Sequence, residues 1–392
     1  MDEQVPLAPL TTLELGGPAR YLARVESTVE LVEALRWARE ERIAVAVLGG
    51  GSNLVVADAG FDGLVVQPAL RGVELDRGAD RVRVTVAAGE PWDEVVALAV
   101  GEGLAGLECL SGIPGTAGAA PIQNIGAYGQ ELSGVMESVQ VLDCESLRER
   151  TLCGAECGFG YRSSRFRAEP GRSVVLAVTL ALGAGARPAL RYPELAEALA
   201  VRAAEPSLSD VRAAVLELRR GKSMVLDPDD PNRRSAGSFF SNPVLDPAAA
   251  EAVVARALAS GAVVRAEEVP RFPAAGGAVK IPAAWLIERA GFEKGLRRGP
   301  VGISTRHALA LVHHGGGTTR ELLTLAAEIR TAVRDRFDVI LQPEPVLLGF
   351  PPGDPLAPFS TAAESCRKAY AEGEGLGDEY AGWEEQGEWP DE

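Results

Sequence analysis

Apolar residues recur along this 392-residue chain in two alternating rhythms. Leu31, Val32, Leu35 and Ala38 fall at helical spacing behind Ser27 and Glu30, a capping pair, and predict a helix to about Glu41. Ahead of it, residues 11–25 read as a turn, punctuated by Gly16-Gly17-Pro18, and then a short strand. AVAVL at 44–48 predicts a strand that runs straight into Gly49-Gly50-Gly51-Ser52-Asn53. From Gly63 to Ala88 the period is two, clearest in RVRVTVAA, as half-buried strands require. Pro91 opens a helix through Val95, Val96 and Leu98, which Gly101 and Gly103 close. Further strands are predicted at 139–143 and 173–182.

Between those strands, GFGYRSSRF (158–166) is rich in Arg and aromatic residues, poor in aliphatics, and expected to stay out of the core. From Ala184 to Ser209 the composition turns to Ala, Pro and Glu, which suggests a domain edge. An amphipathic helix at 211–223 and a DPDDPN turn at 227–232 follow. A third region, from about Ser223 to Asp338, is predicted to hold helices at 247–259 and 281–290, an apolar strand at 308–312, and a long helix from Thr319 to near Phe337. Past Gly349 the chain becomes Pro, Gly and acid and reads as disordered. No internal repeat is evident.

Composition narrows the classes. The chain is 46% hydrophobic and 24% charged, ordinary for a globular protein of two or three domains. No apolar run approaches the roughly 18 residues of a spanning helix. The start, MDEQVPLAPL, has neither a basic nor an apolar signal region, so a cytoplasmic protein is expected. The net charge of −16 is uneven: eleven acids against two bases from Gly353 onward give −9 there and leave −7 for the body. Neither part offers the basic face that nucleic acid needs. Five cysteines (Cys109, Cys144, Cys153, Cys157 and Cys366) in such a chain argue for reduced thiols. Cys153 and Cys157 have loose metal-like spacing, but the only histidines are His307, His313 and His314, so no metal site is expected.

Candidate chemistry sits first in small residues. The stretch SGIPGTAGAAPIQNIGAYG (111–129) has too little bulk to build a core and too few serines for a flexible linker. It suits a backbone that turns tightly and presses its amides against an anion. GGGSN, at the end of a strand, is a second such turn, and two together point to a nucleotide cradle. Three more constellations stand out: Tyr161-Arg162, the Ser in Gly237-Ser238-Phe239-Phe240-Ser241-Asn242-Pro243, and Glu344 between Pro343 and Pro345. Each alone reads more readily as a surface ion pair, a turn hydroxyl or a solvated loop charge than as a site, and the Phe pair is compatible with simple core. His307 reads as structural. No Ser-His-Asp order, metal-ligating helix or P-loop lysine is present, which favours chemistry supplied by a cofactor.

These motifs, in this order and spacing, resemble the MurB family, the UDP-N-acetylenolpyruvoylglucosamine reductases of peptidoglycan synthesis. The similarity spans about residues 10 to 350, and RYPEL around Tyr192 resembles the subgroup with a tyrosine-bearing loop. It implies an α+β fold: the two-domain FAD-binding type shared with vanillyl-alcohol oxidase (PCMH-type), plus a C-terminal α+β substrate-binding domain. The implied division is 1–70 and 71–222 for the FAD-binding subdomains, 223–338 for the substrate domain, 339–350 for a return segment with the catalytic Glu, and 351–392 for an acidic tail. FAD, bound non-covalently since GGGSN has no His or Cys, would be held by Gly49, Gly50, Gly51, Ser52, Asn53, Ser111, Gly112, Ile113, Pro114, Gly115, Thr116 and Gly118. Asn124, Gly126 and Tyr128 would lie along the flavin.

The resemblance further implies that NADPH reduces the FAD, which then delivers hydride from N5 to the enolpyruvyl UDP-sugar, giving UDP-N-acetylmuramate. Arg162 and Glu344 would stabilise the enolate-like charge, with Glu344 protonated, and Ser238 would return a proton, helped by a cation for which Lys222 is the candidate. Tyr192, Lys222 and Asn242 match positions that grip the substrate. The expected partners are the UDP-sugar and NADPH, with no nucleic acid, no membrane insertion and a monomeric chain. Ser241, His313 and Pro345-Val346 depart from the family pattern, which commonly has Lys, Asn and Val-Arg there. A nucleotide-binding protein without chemistry and an FAD-linked oxidase of the same fold are the alternatives.

Overall fold

A computed structural model describes residues 1–78, 81–188, 190–200, 205–351 and 354. The acidic tail expected from residue 351 onward, with Cys366, lies almost wholly outside them.

The chain opens on a four-stranded mixed sheet. Asp2–Pro6 runs antiparallel to Pro18–Val25, which is parallel to Phe61–Pro68, which in turn is parallel to Ala44–Val47. The helix Thr28–Glu40 lays Leu31, Ala34, Leu35 and Ala38 on this sheet. Ser27 caps it by accepting from the Glu30 N–H, while the Glu30 carboxylate accepts from Glu26, one residue earlier than a full capping box requires.

A second, antiparallel sheet has the order Arg148–Cys153, Met136–Asp143, Ser173–Ala184, Arg81–Ala87, Val73–Arg77. Its Val82, Val84 and Val86 point inward, with Trp92, Val95, Val96 and Ala99 of the helix Trp92–Gly101 in the same core. The strand Arg148–Cys153 escapes a reading of apolar rhythm because it is an edge whose Arg and Glu residues face water, as edges that avoid aggregation do.

The stretch read as a domain edge holds the helix Pro193–Ala200. Leu195 and Leu199 bury against Cys109 and against Val211, Ala214 and Val215 of the helix Leu208–Gly221. The insertion 158–166 is likewise only partly outside the core. Tyr161 is exposed, but Phe166 is buried with the second sheet's core, and Ser164 caps the short helix Arg165–Ala168 and donates to the Ile122 carbonyl. Aliphatic content alone could not show this, since one aromatic ring suffices to anchor a turn.

The third region stacks helices Pro247–Ala259, Ala283–Arg289 and Thr319–Phe337 over two small sheets. The predicted strand at 308–312 shrinks to Leu311–His313, because the apolar residues before it form a turn in which Ala310 N–H bonds to the His307 carbonyl. The chain then returns: Val346–Leu348 pairs in parallel with Leu54–Val56, beside the first glycine turn.

Candidate active site

The strand Ala44–Val47 ends in a turn whose five successive main-chain N–H groups, Gly49 to Asn53, donate to no group among the described residues. Gly51 has φ +64°, and a Cβ there would lie 2.0 Å from the Leu10 carbonyl oxygen. Opposite stands the second loop. A Cβ on Gly50 would meet Gly115 Cα at 2.7 Å, and the Ser52 hydroxyl donates to the Pro114 carbonyl at 3.1 Å. Ile113, Gly115 and Thr116 also have unengaged N–H groups among the described residues. Concave rows of such donors bind anions, and two facing rows fit the two phosphates of a dinucleotide. The residues present therefore suit the FAD that the sequence implies.

Not every expected contact is free to serve. Gly112 N–H is taken by Asp93 at 2.6 Å, and Gly118 N–H by the Ala88 carbonyl at 2.9 Å. Ser111 is fully buried and donates to Glu108. Asn124, also buried, uses its side chain on Glu131, the Gly160 carbonyl and Ser133 N–H. These four brace the loop through the groups named, which its composition could not reveal. Asp93 is gripped by both terminal nitrogens of the Arg212 guanidinium, Nη1 and Nη2, at 2.6 and 2.8 Å. Arg219 reaches the Gly112 carbonyl from behind, and burial pushes its guanidinium down to about 10.

Past this loop, Gly126–Ala127 and Gln130–Glu131 form a hairpin whose two turn residues, Tyr128 and Gly129, both have positive φ. Tyr128 meets Tyr192 edge to face at 5.4 Å, and Lys222 Nζ lies 5.7 Å from the Tyr128 ring. Burial pushes the Tyr128 phenol up to about 12. Lys222 is paired with Glu194 at 2.6 Å, and its ammonium makes no hydrogen bond to Ser238 among the described residues. His307 is half-buried; burial first, then Lys222 and Lys294, push its imidazole down to about 4.

Arg162 sits in a left-handed turn, φ +52°, closed by paired bonds between Gly160 and Ser163. Its Nη2 donates to the Gly126 carbonyl at 3.1 Å, and Nε lies 3.1 Å from Glu344 Oε1. That contact is an ion pair without a hydrogen bond, so a buried Nε–H is left unsatisfied. Glu344 is 9% exposed, and burial raises its carboxyl above the ordinary value despite Arg162 and Arg167. Its N–H bonds to the Phe239 carbonyl, next to Ser238. Phe239 and Phe240 are buried edge to face, fixing the backbone beside a Ser238 hydroxyl that has no hydrogen-bond partner among the described residues. Asn242 accepts from Ala283 N–H and donates to the Tyr161 hydroxyl at 3.5 Å. Sequence reasoning missed Gln123 and Arg167. Arg167 donates to Gln123 and to the carbonyls of Pro343 and Glu344.

The three departures have structural settings. Ser241 bonds to the Gln342 carbonyl, and Val346 begins the return strand. His313 is buried between the Leu13 carbonyl, at Nδ1, and Gly317 N–H, which donates to Nε2. Among the described residues, no cluster of His, Cys, Asp or Glu gathers for a metal, and the described cysteines are free.

A double glycine cradle beside an Arg–Glu pair drawn from the second region and the return segment is the arrangement of an FAD-dependent oxidoreductase. Residues 19–151 match the family model described as an FAD binding domain, and 229–348 match that of the UDP-N-acetylenolpyruvoylglucosamine reductase C-terminal domain. A protein of that reductase name from Thermobifida fusca is 51% identical, with 88% of this chain and 97% of that one covered. Another from Streptomyces coelicolor is 48% identical, with 88% and 89% covered. The crystal structure of MurB from Thermus caldophilus aligns with a TM-score of 0.60 and 28% identity, covering 88% of this chain and 97% of that one. The chain belongs to the UDP-N-acetylenolpyruvoylglucosamine reductase family, and its fold is the FAD-binding α+β type with the family's C-terminal domain.

Proposed function

We propose that this chain is the NADPH-dependent flavoenzyme that reduces UDP-N-acetylglucosamine enolpyruvate to UDP-N-acetylmuramate for peptidoglycan. The main support is one arrangement: the return segment sets Glu344 against Arg162 and one residue from Ser238, on the side of the body where the glycine turns lie. Bound FAD supplies the two-electron chemistry, taken from NADPH and passed to the enolpyruvyl carbon.

The chain's own residues do the rest. The amides of 49–53, with Ile113, Gly115 and Thr116, hold the cofactor's diphosphate. Arg162 offers a buried, unsatisfied Nε–H to the negative charge that grows on the substrate carboxylate, where fixed donors act most strongly. Glu344, whose carboxyl burial raises, would act in its protonated form and donate to the same charge. Ser238 Oγ gives the proton to the anionic carbon. Tyr192, Lys222 and Asn242 bound the sugar-nucleotide side, with Lys222 meeting phosphate in exchange for Glu194. The division at 70, 222, 338 and 350 follows the two glycine-bearing units, the third region and the return. Soluble substrates, and the absence among the described residues of any helix long and apolar enough to cross a membrane, accord with action in the cytoplasm.

The test is anaerobic. NADPH should bleach the flavin, and the enolpyruvyl sugar nucleotide should restore its colour. Ser238→Ala should leave bleaching intact and slow recovery by about 10²–10⁴-fold, the usual share of a general acid. Recovery should also fall as pH rises through the raised Glu344 value, because ionisation removes its proton; Glu344→Gln should abolish that limb. Equal loss in both halves for Ser238→Ala would overturn its assigned role.

A further inference from the structure

Four segments distant in sequence meet in a closed ring of hydrogen bonds that the mechanism above does not use. Asn53 Nδ2, from the first glycine turn, donates to Gln123 Oε1 at 3.0 Å and to the Glu344 carbonyl at 3.3 Å. Arg167 closes the circle: Nη1 donates to the same Gln123 oxygen at 3.1 Å and Nη2 to the same Glu344 carbonyl at 3.1 Å. Each acceptor thus takes two donors. Asn53 keeps its main-chain N–H for the cradle and offers its carbonyl to Val346 N–H. Glu344 is held from the other side by the Phe239 carbonyl.

We propose that Arg167 is a positioning residue for substrate reduction, clamping the main chain of Glu344 to the cofactor cradle through Gln123 and Asn53. This rests on the reading of Glu344 as the carboxyl that faces substrate. The ring suits a flat, forked side chain: Nη1 reaches a side-chain amide and Nη2 a main-chain carbonyl in one rigid plane, a geometry that the flexible ammonium of Lys does not fix. Arg167 also acts by charge. The groups facing the Glu344 carboxyl are Arg162, Arg167 and the Tyr161 phenol, and both cations pull its proton affinity down against the burial that raises it. Removing one cation should raise it further.

The full-length, FAD-loaded protein separates the two effects. Arg167→Met should be bleached by NADPH at the normal rate, but recover its colour with substrate about 10–100-fold more slowly, the penalty of a carboxyl out of place. Its alkaline limb should move to higher pH. Arg167→Lys, which keeps the charge and loses the fork, should show an intermediate rate with the limb unmoved. A readout without turnover is FAD affinity, measured by titrating the apoprotein. Because Asn53 belongs to both ring and cradle, Arg167→Met should bind FAD about tenfold more weakly, as one lost hydrogen bond implies. If Arg167→Met does not fold, Gln123→Met tests the ring from its other side and should slow recovery and weaken FAD with the limb in place. Normal recovery, or equal slowing of both halves with an unmoved limb, would overturn the proposal. If the wild-type reduced flavin is not reoxidised by this substrate, the functional reading falls instead, and FAD affinity still decides whether the ring supports the cradle.

Discussion

The two glycine loops differ in how much of their main chain is left to a ligand. In the turn at 49–53 every N–H is unengaged among the described residues. In the loop at 111–118 the N–H groups of Gly112, Ala117 and Gly118 are bonded to Asp93, Glu90 and Ala88. The first presents donors to a ligand. The second is part donor row and part wall: Ile113, Gly115 and Thr116 keep N–H groups unengaged among the described residues, while Asp93, Arg212 and Arg219 brace it from behind and Gly115 is set against Gly50, which keeps the cradle narrow. Glycine is needed in both, for different reasons. Gly51 is there for its φ and the Leu10 carbonyl beside it, and Gly118 because a Cβ would meet Ala88 Cβ at 2.5 Å.

Substitutions can break this contrast. The largest effect is expected from Gly51→Ala, whose methyl has no room beside a main-chain oxygen. It should cost about 3 kcal/mol and yield colourless protein, read by Tm and by bound flavin per chain. A stable, yellow Gly51→Ala would end the cradle assignment.

Asp93→Ala comes next and should act on the wall. It leaves Arg212 unpaired and Gly112 N–H free, for a loss of about 1–3 kcal/mol, while FAD affinity changes far less than in Gly51→Ala. Full loss of FAD with unchanged Tm would reverse the roles of the loops. Burial alone would raise the Asp93 carboxyl, but Arg212 and Gly112 N–H outweigh it and hold it below its ordinary value. Its contribution is therefore present above the unfolded value near 4 and lost as pH falls through the folded one, a limb that Asp93→Ala should lack in a plot of Tm against pH. The smallest effect belongs to Ser52→Ala, which removes one link between the loops and should lower stability by about 1 kcal/mol, with slightly weaker FAD.

His313 shows how a departure from a family pattern can be structural. Burial lowers its imidazole, and the neutral ring donates from Nδ1 to Leu13 while accepting at Nε2 from Gly317. It joins the N-terminal segment to the third region, where Arg233 and Arg234 also grip Glu14.

The sequence by itself determined the helices Thr28–Glu40, Pro247–Ala259 and Thr319–Phe337, because caps and apolar spacing act within a few residues and need no partner. It also determined both glycine turns and the buried Phe pair beside Ser238, since small or bulky residues in a row leave few conformations open. Only the tertiary structure decided which amides remain free, that Lys222 faces Glu194, and that Asn53 and Arg167, joined through Gln123, hold the Glu344 carbonyl. Each of those depends on groups 19 to 291 positions apart in the chain, and hydrogen bonds across such distances leave no period or spacing in the sequence.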